Sequence, residues 1–196
     1  MFAALATAGC LAQAPRPVRV RLETSQGPIV LQIHPDWAPR GAARFLALVR
    51  AHYYDGARFF RVIAGRWAQF GIAGDPAVAA AWRTRTIPDD PPRHPNLRGT
   101  VAFAFAVRDG RITQVFINLR DNSATLDRQG FAPFAEVIQG MTAVDRLFPG
   151  YGEHAGGGIR AGHQQALFAG GNAWLALHFP KLDFIRTAHI YGSMGQ

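Results

Sequence analysis

The chain has 196 residues, 48% of them hydrophobic and 11% aromatic, enough to bury one continuous core. Its net charge of +8 raises nucleic acid or an anionic surface as partners, but the arginines are dispersed from Arg16 to Arg186 and Lys181 is the only lysine. That dispersal describes a solvated surface, so no nucleic-acid partner is expected, and Cys10 as the single cysteine excludes an intrachain disulfide.

The first fourteen residues, MFAALATAGCLAQA, carry no charge and end in the small-x-small triplet Ala12-Gln13-Ala14. They read as the end of an export signal and are too short to cross a bilayer. TAGC before Leu11 also reads as a lipoprotein box that would anchor the chain at Cys10, and an apolar tail on a cytoplasmic protein is the alternative. A periplasmic or secreted location is expected, with residues 1–14 set apart from a single domain over 18–191.

From Val18 the period is two: Val18, Val20 and Leu22 alternate with Arg19, Arg21 and Glu23. A turn at Ser25 to Gly27 and the alternation of Ile29, Leu31 and Ile33 complete a β-hairpin. Ala42, Phe45, Leu46 and Val49 then recur at three and four residues, which predicts a helix from Pro39 fading by His52. Strand patterns return at Phe59 to Ile63, Trp67 to Ile72, GTVAFAFAV, QVFIN and FAPFAEVI. The proline-rich connection between Gly74 and Gly99 reads as a surface loop, because proline has no donor for a ladder. Gly140 to Phe148 reads as a short second helix. Gly150 to Gly171 is glycine-rich and weakly patterned, and NAWLALHFPKLDFIRTAHI gives one or two helical turns and a closing strand. Many short antiparallel strands with two clear helices predict a closed or nearly closed barrel, since a flat sheet would expose its edges.

Most site chemistries find no support. The seven histidines show no metal-ligand spacing, the three serines no nucleophile elbow, and Cys10 lies outside any plausible core. GGGIRAG from Gly156 lacks the strand and long helix of a phosphate loop. Asp89 with Asp90, and Asp121 with Asp127, are the carboxylate pairs, and loop solvation accounts for the adjacent one.

What remains is an arginine, glutamines and aromatics, in a recognisable order. The blocks YYDGARFFRVIAGRWAQFGIAGDP, RGTVAFAFA, TQVFINLRDN and LDRQGFAPFAEVIQGM resemble the cyclophilin-type peptidyl-prolyl cis-trans isomerases, from about Val18 to His189. The tail GGNAWLALHFPKLDFIRTAHI resembles that of a secreted bacterial subgroup. The resemblance implies a mainly β fold, a closed eight-stranded antiparallel barrel capped by two α-helices. It implies no cofactor and no metal, proline-containing polypeptide clients, no stable membrane span and a monomer.

Carried over residue by residue, the resemblance places Arg61 on the catalytic arginine and Gln69 on the glutamine that helps hold the substrate carbonyl side. Gln114 falls on a second glutamine, Phe116 on the floor of the proline pocket and Leu126 on its wall. Ala104 and Phe105 fall on the stretch whose backbone pairs with an extended substrate, and Phe60 joins the substrate-binding set. Several positions depart from the family, among them the loop Ala106 to Gly110, AVRDG where AGPN is common. Phe131 stands where many members have histidine, Arg66 where phenylalanine is usual, and Trp67 where methionine is usual. Arg66 has the opposite strand parity to Trp67 and is expected at the pocket rim. Thr125 lies near the place of a tryptophan that helps some members bind cyclosporin, so weak cyclosporin affinity is expected.

The residue types suit the reaction that the resemblance implies. Rotation about X-Pro faces a barrier of about 18 to 20 kcal/mol because resonance makes the C–N bond partly double. Twisting localises a lone pair on the proline nitrogen, and a fixed guanidinium donor binds that state better than either planar one. Without the surrounding blocks, Arg61 reads as a surface arginine laid over Phe59 and Phe60. The other functional reading is a proline-peptide binding module with weak or no turnover.

Overall fold

The computed structural model describes residues 18–159 and 163–191. The expected export segment, residues 1–14 with Cys10, lies outside them. The first hairpin forms as predicted: β1 (Val18–Thr24) pairs antiparallel with β2 (Gly27–Ile33), from Val18 opposite Ile33 to Thr24 opposite Gly27. Its alternating Val20, Leu22, Ile29, Leu31 and Ile33 are fully buried.

Helix α1 (Pro39–Arg50) follows, burying Ala42, Phe45, Leu46 and Val49. Its N-cap, Ala38, has no side chain to receive the free amides of the first turn. Asp90 does so from across the fold, accepting from the Arg40 and Gly41 amides at 3.2 and 2.8 Å. Asp89 ion-pairs with Arg111, which is 2% exposed. The expected loop solvation of Asp89 and Asp90 is therefore corrected: one carboxylate caps a helix and its neighbour neutralises a buried cation.

The remaining strands are β3 (Arg61–Ile63), β4 (Trp67–Phe70), β5 (Thr100–Phe103), β6 (Val115–Asn118), β7 (Pro133–Gln139) and β8 (Ile185–Tyr191). One antiparallel sheet runs in the order β3-β4-β6-β5-β7-β2-β1-β8. It curls into a half-barrel rather than the expected closed barrel, because its edges β3 and β8 share no ladder. The edges meet through one bridge, Arg58 opposite Phe184, flanked by Phe59 N–H to Asp183 O and Ile185 N–H to Ala57 O, both 2.9 Å.

Among the described residues there are five α-helices where two were expected. Helix α2 (Pro76–Trp82) interrupts the proline-rich connection: Asp75 accepts from the Ala77 amide at 2.7 Å, and Pro76 takes the first turn, where no donor is required. Helix α3 (Ser123–Leu126) is one turn, and α4 (Met141–Asp145) is a shortened form of the predicted second helix. Helix α5 (Gln165–His178) is kinked at Gly171 (φ 53°, ψ −145°). A side chain there would meet the Gly74 carbonyl, and the Asn172 amide donates to that same oxygen at 2.8 Å, which ties α5 to the start of α2.

Strand alternation divides the apolar residues into two clusters. Val101 and Phe103 of β5, with Val115 and Ile117 of β6, face the main core. Ala102 and Phe116 face the other way. With Ala104, Phe105, Leu126 and Phe131 they make a smaller cluster, rimmed by Trp67 and Ile159. Among the described residues no helix is long and apolar enough to cross a membrane.

Candidate active site

The smaller cluster is open on one side and lines a cavity of about 170 Å³. Phe116, Leu126 and Phe131, each at most 9% exposed, give it an apolar interior. The rings interlock: Phe131 lies 5.5 Å from Phe116, edge on, and 4.4 Å from Phe105. Behind Phe105, the Arg111 guanidinium sits 4.7 Å from its ring and donates to the Gly130 carbonyl at 2.6 Å. Burial lowers the pKa of Arg111, against the opposing pull of Asp89. The wall is thus braced by a buried cation that sequence reasoning did not find.

Arg61 and Gln69 are directly opposed in the β3–β4 ladder, so the hairpin register itself sets them side by side. Arg61 Nη1 donates to Gln69 Oε1 at 3.0 Å. Arg61 Nε and Nη2 donate to Glu153, at 2.9 and 2.7 Å, and Glu153 also accepts from the Gly158 amide at 3.0 Å. These bonds, those from Arg61 first, hold the Glu153 carboxyl below its ordinary range although partial burial opposes them. Gly158 presses on the other partner, since a side chain there would lie 3.2 Å from Arg61 Cζ.

A guanidinium can only donate, so Gln69 must present its oxygen to Arg61 and its amide elsewhere. The direction of the next bonds follows. Gln69 Nε2 donates to Gln114 Oε1 at 2.9 Å, Gln114 Nε2 to Gln164 Oε1 at 2.8 Å, and Gln164 Nε2 to the Gly157 carbonyl at 3.1 Å. All three glutamines are buried. This relay joins the β-sheet to the glycine-rich segment ahead of α5.

Of the residues singled out in the sequence, Arg61, Trp67, Gln69, Ala104, Phe105, Phe116, Leu126 and Phe131 all line the cavity. Three do not. Phe60 is 1% exposed and belongs to the main core, because its place next to Arg61 on an extended segment turns it to the opposite face. Its expected substrate contact is corrected. Gln114 lines an adjoining cavity of about 360 Å³ and reaches Arg61 only through Gln69. Arg66 is exposed at the rim, as its parity predicted, with its guanidinium 4.5 Å from the Trp67 ring. Glu153, Gly158, Ile159 and Gln164 were missed, and all four fall in or beside the stretch that showed no periodicity. Among the described residues no three His, Cys, Asp or Glu side chains converge on a possible metal site. The arrangement offers a fixed cationic donor at the mouth of an apolar, aromatic slot.

Comparison with known proteins gives the family and the fold. Residues 19–153 match the sequence model of the family described as "Cyclophilin type peptidyl-prolyl cis-trans isomerase/CLD". A probable peptidyl-prolyl cis-trans isomerase of Brucella abortus is 32% identical over 141 residues, 67% of this chain and 71% of that one. A peptidyl-prolyl cis-trans isomerase of Streptomyces antibioticus is 35% identical over 141 residues, 65% of this chain and 81% of that one. Among solved structures, a cyclophilin-type peptidyl-prolyl cis-trans isomerase of Cryptosporidium parvum superposes with a TM-score of 0.65 at 18% identity, covering 90% of this chain and 99% of its own. That likeness concerns the fold.

Proposed function

The chain belongs to the cyclophilin-type peptidyl-prolyl cis-trans isomerase family and is a peptidyl-prolyl isomerase, and from that premise we propose how its own residues divide the work. Phe116, Leu126 and Phe131 take the proline ring of an extended client segment into their slot. Arg61 places a donor at its mouth, against the nitrogen that gains a lone pair as the bond twists. Gln69 fixes the guanidinium and meets the carbonyl side, while Gln114 stands behind Gln69 rather than against the client. Trp67 closes the wall, and the backbone of Ala104 and Phe105 runs beside the client.

The observation that carries this reading is the Arg61 guanidinium, fixed by its 3.0 Å bond to the Gln69 side-chain carbonyl oxygen on the rim of the aromatic cavity. No nucleophile or proton transfer is required, because the only bond order that changes is restored when rotation is complete. A differential stabilisation of about 7 kcal/mol, shared between the donor and water exclusion by the slot, corresponds to roughly 10⁵-fold acceleration. A single donor of this kind contributes about 10²- to 10³-fold. Arg61→Ala is therefore expected to lower kcat/KM on a proline tetrapeptide by that factor in a protease-coupled assay, with Tm lowered by a few degrees because the Glu153 pair goes with it. Equal rates for the two proteins would remove Arg61 from the mechanism.

A further inference from the structure

On the far side of Trp67 from the proline slot lies a second opening of about 240 Å³, which shares Trp67, Leu126 and Gln129 with the first. Two arginines line it, Arg66 and Arg120. Among the described residues neither has a carboxylate within ion-pair distance. One buried side chain fixes the Arg66 backbone and the Arg120 guanidinium. Asn122, 7% exposed, donates from Nδ2 to the Arg66 carbonyl at 2.9 Å and to Asn118 Oδ1 at 2.8 Å, and accepts on Oδ1 from Arg120 Nε at 3.1 Å. The Leu119 amide donates to the same Arg66 carbonyl at 2.9 Å. The Trp67 ring supports the Arg66 guanidinium.

The carboxylates nearby are committed elsewhere. Asp121, also on the opening, accepts from the amide and hydroxyl of Ser123 at 2.9 and 2.6 Å, which turns it into the start of α3. Glu153 is engaged by Arg61. With Arg61 and Glu153 neutralising each other, Arg66 and Arg120 against Asp121 leave the opening net positive. Thr125, with its small side chain, lines the same opening.

We propose that this opening is an anion-accepting subsite, filled by the carboxylate of a client residue next to the proline. An extended chain advances about 3.3 to 3.6 Å per residue, so a residue adjacent to a proline in the slot sits beside the wall that the two openings share. The subsite makes proline segments with an acidic flank the preferred substrate class. It rests on the proline slot assigned above.

The test uses capped peptides with one proline and Glu or Gln at the position just before it, just after it, or five residues away. Binding is measured by NMR titration, and isomerisation by exchange peaks in the same samples. In about 20 mM salt, Glu at one adjacent position is expected to bind about three- to tenfold more tightly than Gln, and the gap closes in about 0.5 M salt. Arg120→Glu is expected to reverse the order, and Arg66→Gln with Arg120→Gln to abolish it. Equal affinities at both adjacent positions would overturn the subsite, as would an equal gain from the distant Glu, which reports only the overall charge of the chain. Bound peptides without exchange peaks would instead overturn the isomerase reading, while the affinity ratio still decides the subsite.

Discussion

Glu153→Gln keeps one acceptor at the Arg61 guanidinium and removes the charge. The wild-type contact is bidentate, but the Glu153 side chain is 52% exposed and that of Arg61 17%, so solvent screens much of it. Exposed pairs contribute about 0.2 to 1 kcal/mol, and the two-bond geometry puts this one near the upper end. For a chain of this length that corresponds to a Tm lower by about 2 to 4 °C at neutral pH. The carboxyl is held below its ordinary value in the folded state, so its contribution is full above the unfolded value and is lost as pH falls through the folded one. The Tm difference between the two proteins should accordingly close as the pH is taken from about 6 to about 3. The effect on catalysis has a different signature. Glu153 holds Nε and Nη2 while Gln69 holds Nη1, so a loosened guanidinium loses alignment with the twisted bond and not with the planar one. A drop of about three- to tenfold in kcat with KM nearly unchanged is expected, measured by exchange NMR on a neutral proline peptide. An unchanged or higher kcat would show that the carboxylate screens Arg61 instead of aligning it, and would refute the positioning role.

Gly158→Ala separates activity from stability, because the added carbon would lie 3.2 Å from Arg61 Cζ and can be accommodated only by displacing the guanidinium. It should lower kcat/KM several-fold while leaving urea stability equal or raised by up to about 1 kcal/mol through the less flexible unfolded chain. Unchanged turnover would mean that the guanidinium adapts freely. Arg111→Leu acts in the opposite sense, leaving Asp89 and the Gly130 carbonyl without their buried donor. A loss of about 2 to 4 kcal/mol in urea unfolding is expected, less than for a fully enclosed pair because Asp89 reaches solvent. A loss below about 1 kcal/mol would show that the brace behind Phe105 is dispensable.

The parts of the site that strand alternation controls were legible in the sequence. Trp67 and Gln69 share parity on β4 and both line the slot, and Arg61 joins them because the hairpin register sets it opposite Gln69. Phe60 was misplaced for the same reason, since alternation puts it on the far face from Arg61. The helix α2 carried its signals openly in Asp75-Pro76, a cap followed by a first-turn proline, but the prolines beyond it made the whole connection read as loop. Glu153 carries no local signal: its partner is 92 residues away, and only the folded chain shows that they meet. The barrel stays open for a comparable reason, because whether the edges β3 and β8 pair is a long-range contact that hydrophobic pattern does not report.

The glutamine relay has a consequence for how the site could be moved to another chain. The family match ends at Glu153, yet Gln164, beyond that limit, holds Gln114, which holds Gln69, which holds Arg61. The late segment is thus hydrogen-bonded into the site that the matched segment carries. Grafting Arg61, Gln69 and Phe116 onto a shorter relative would transfer the letters of the site without the tension that keeps its arginine in place.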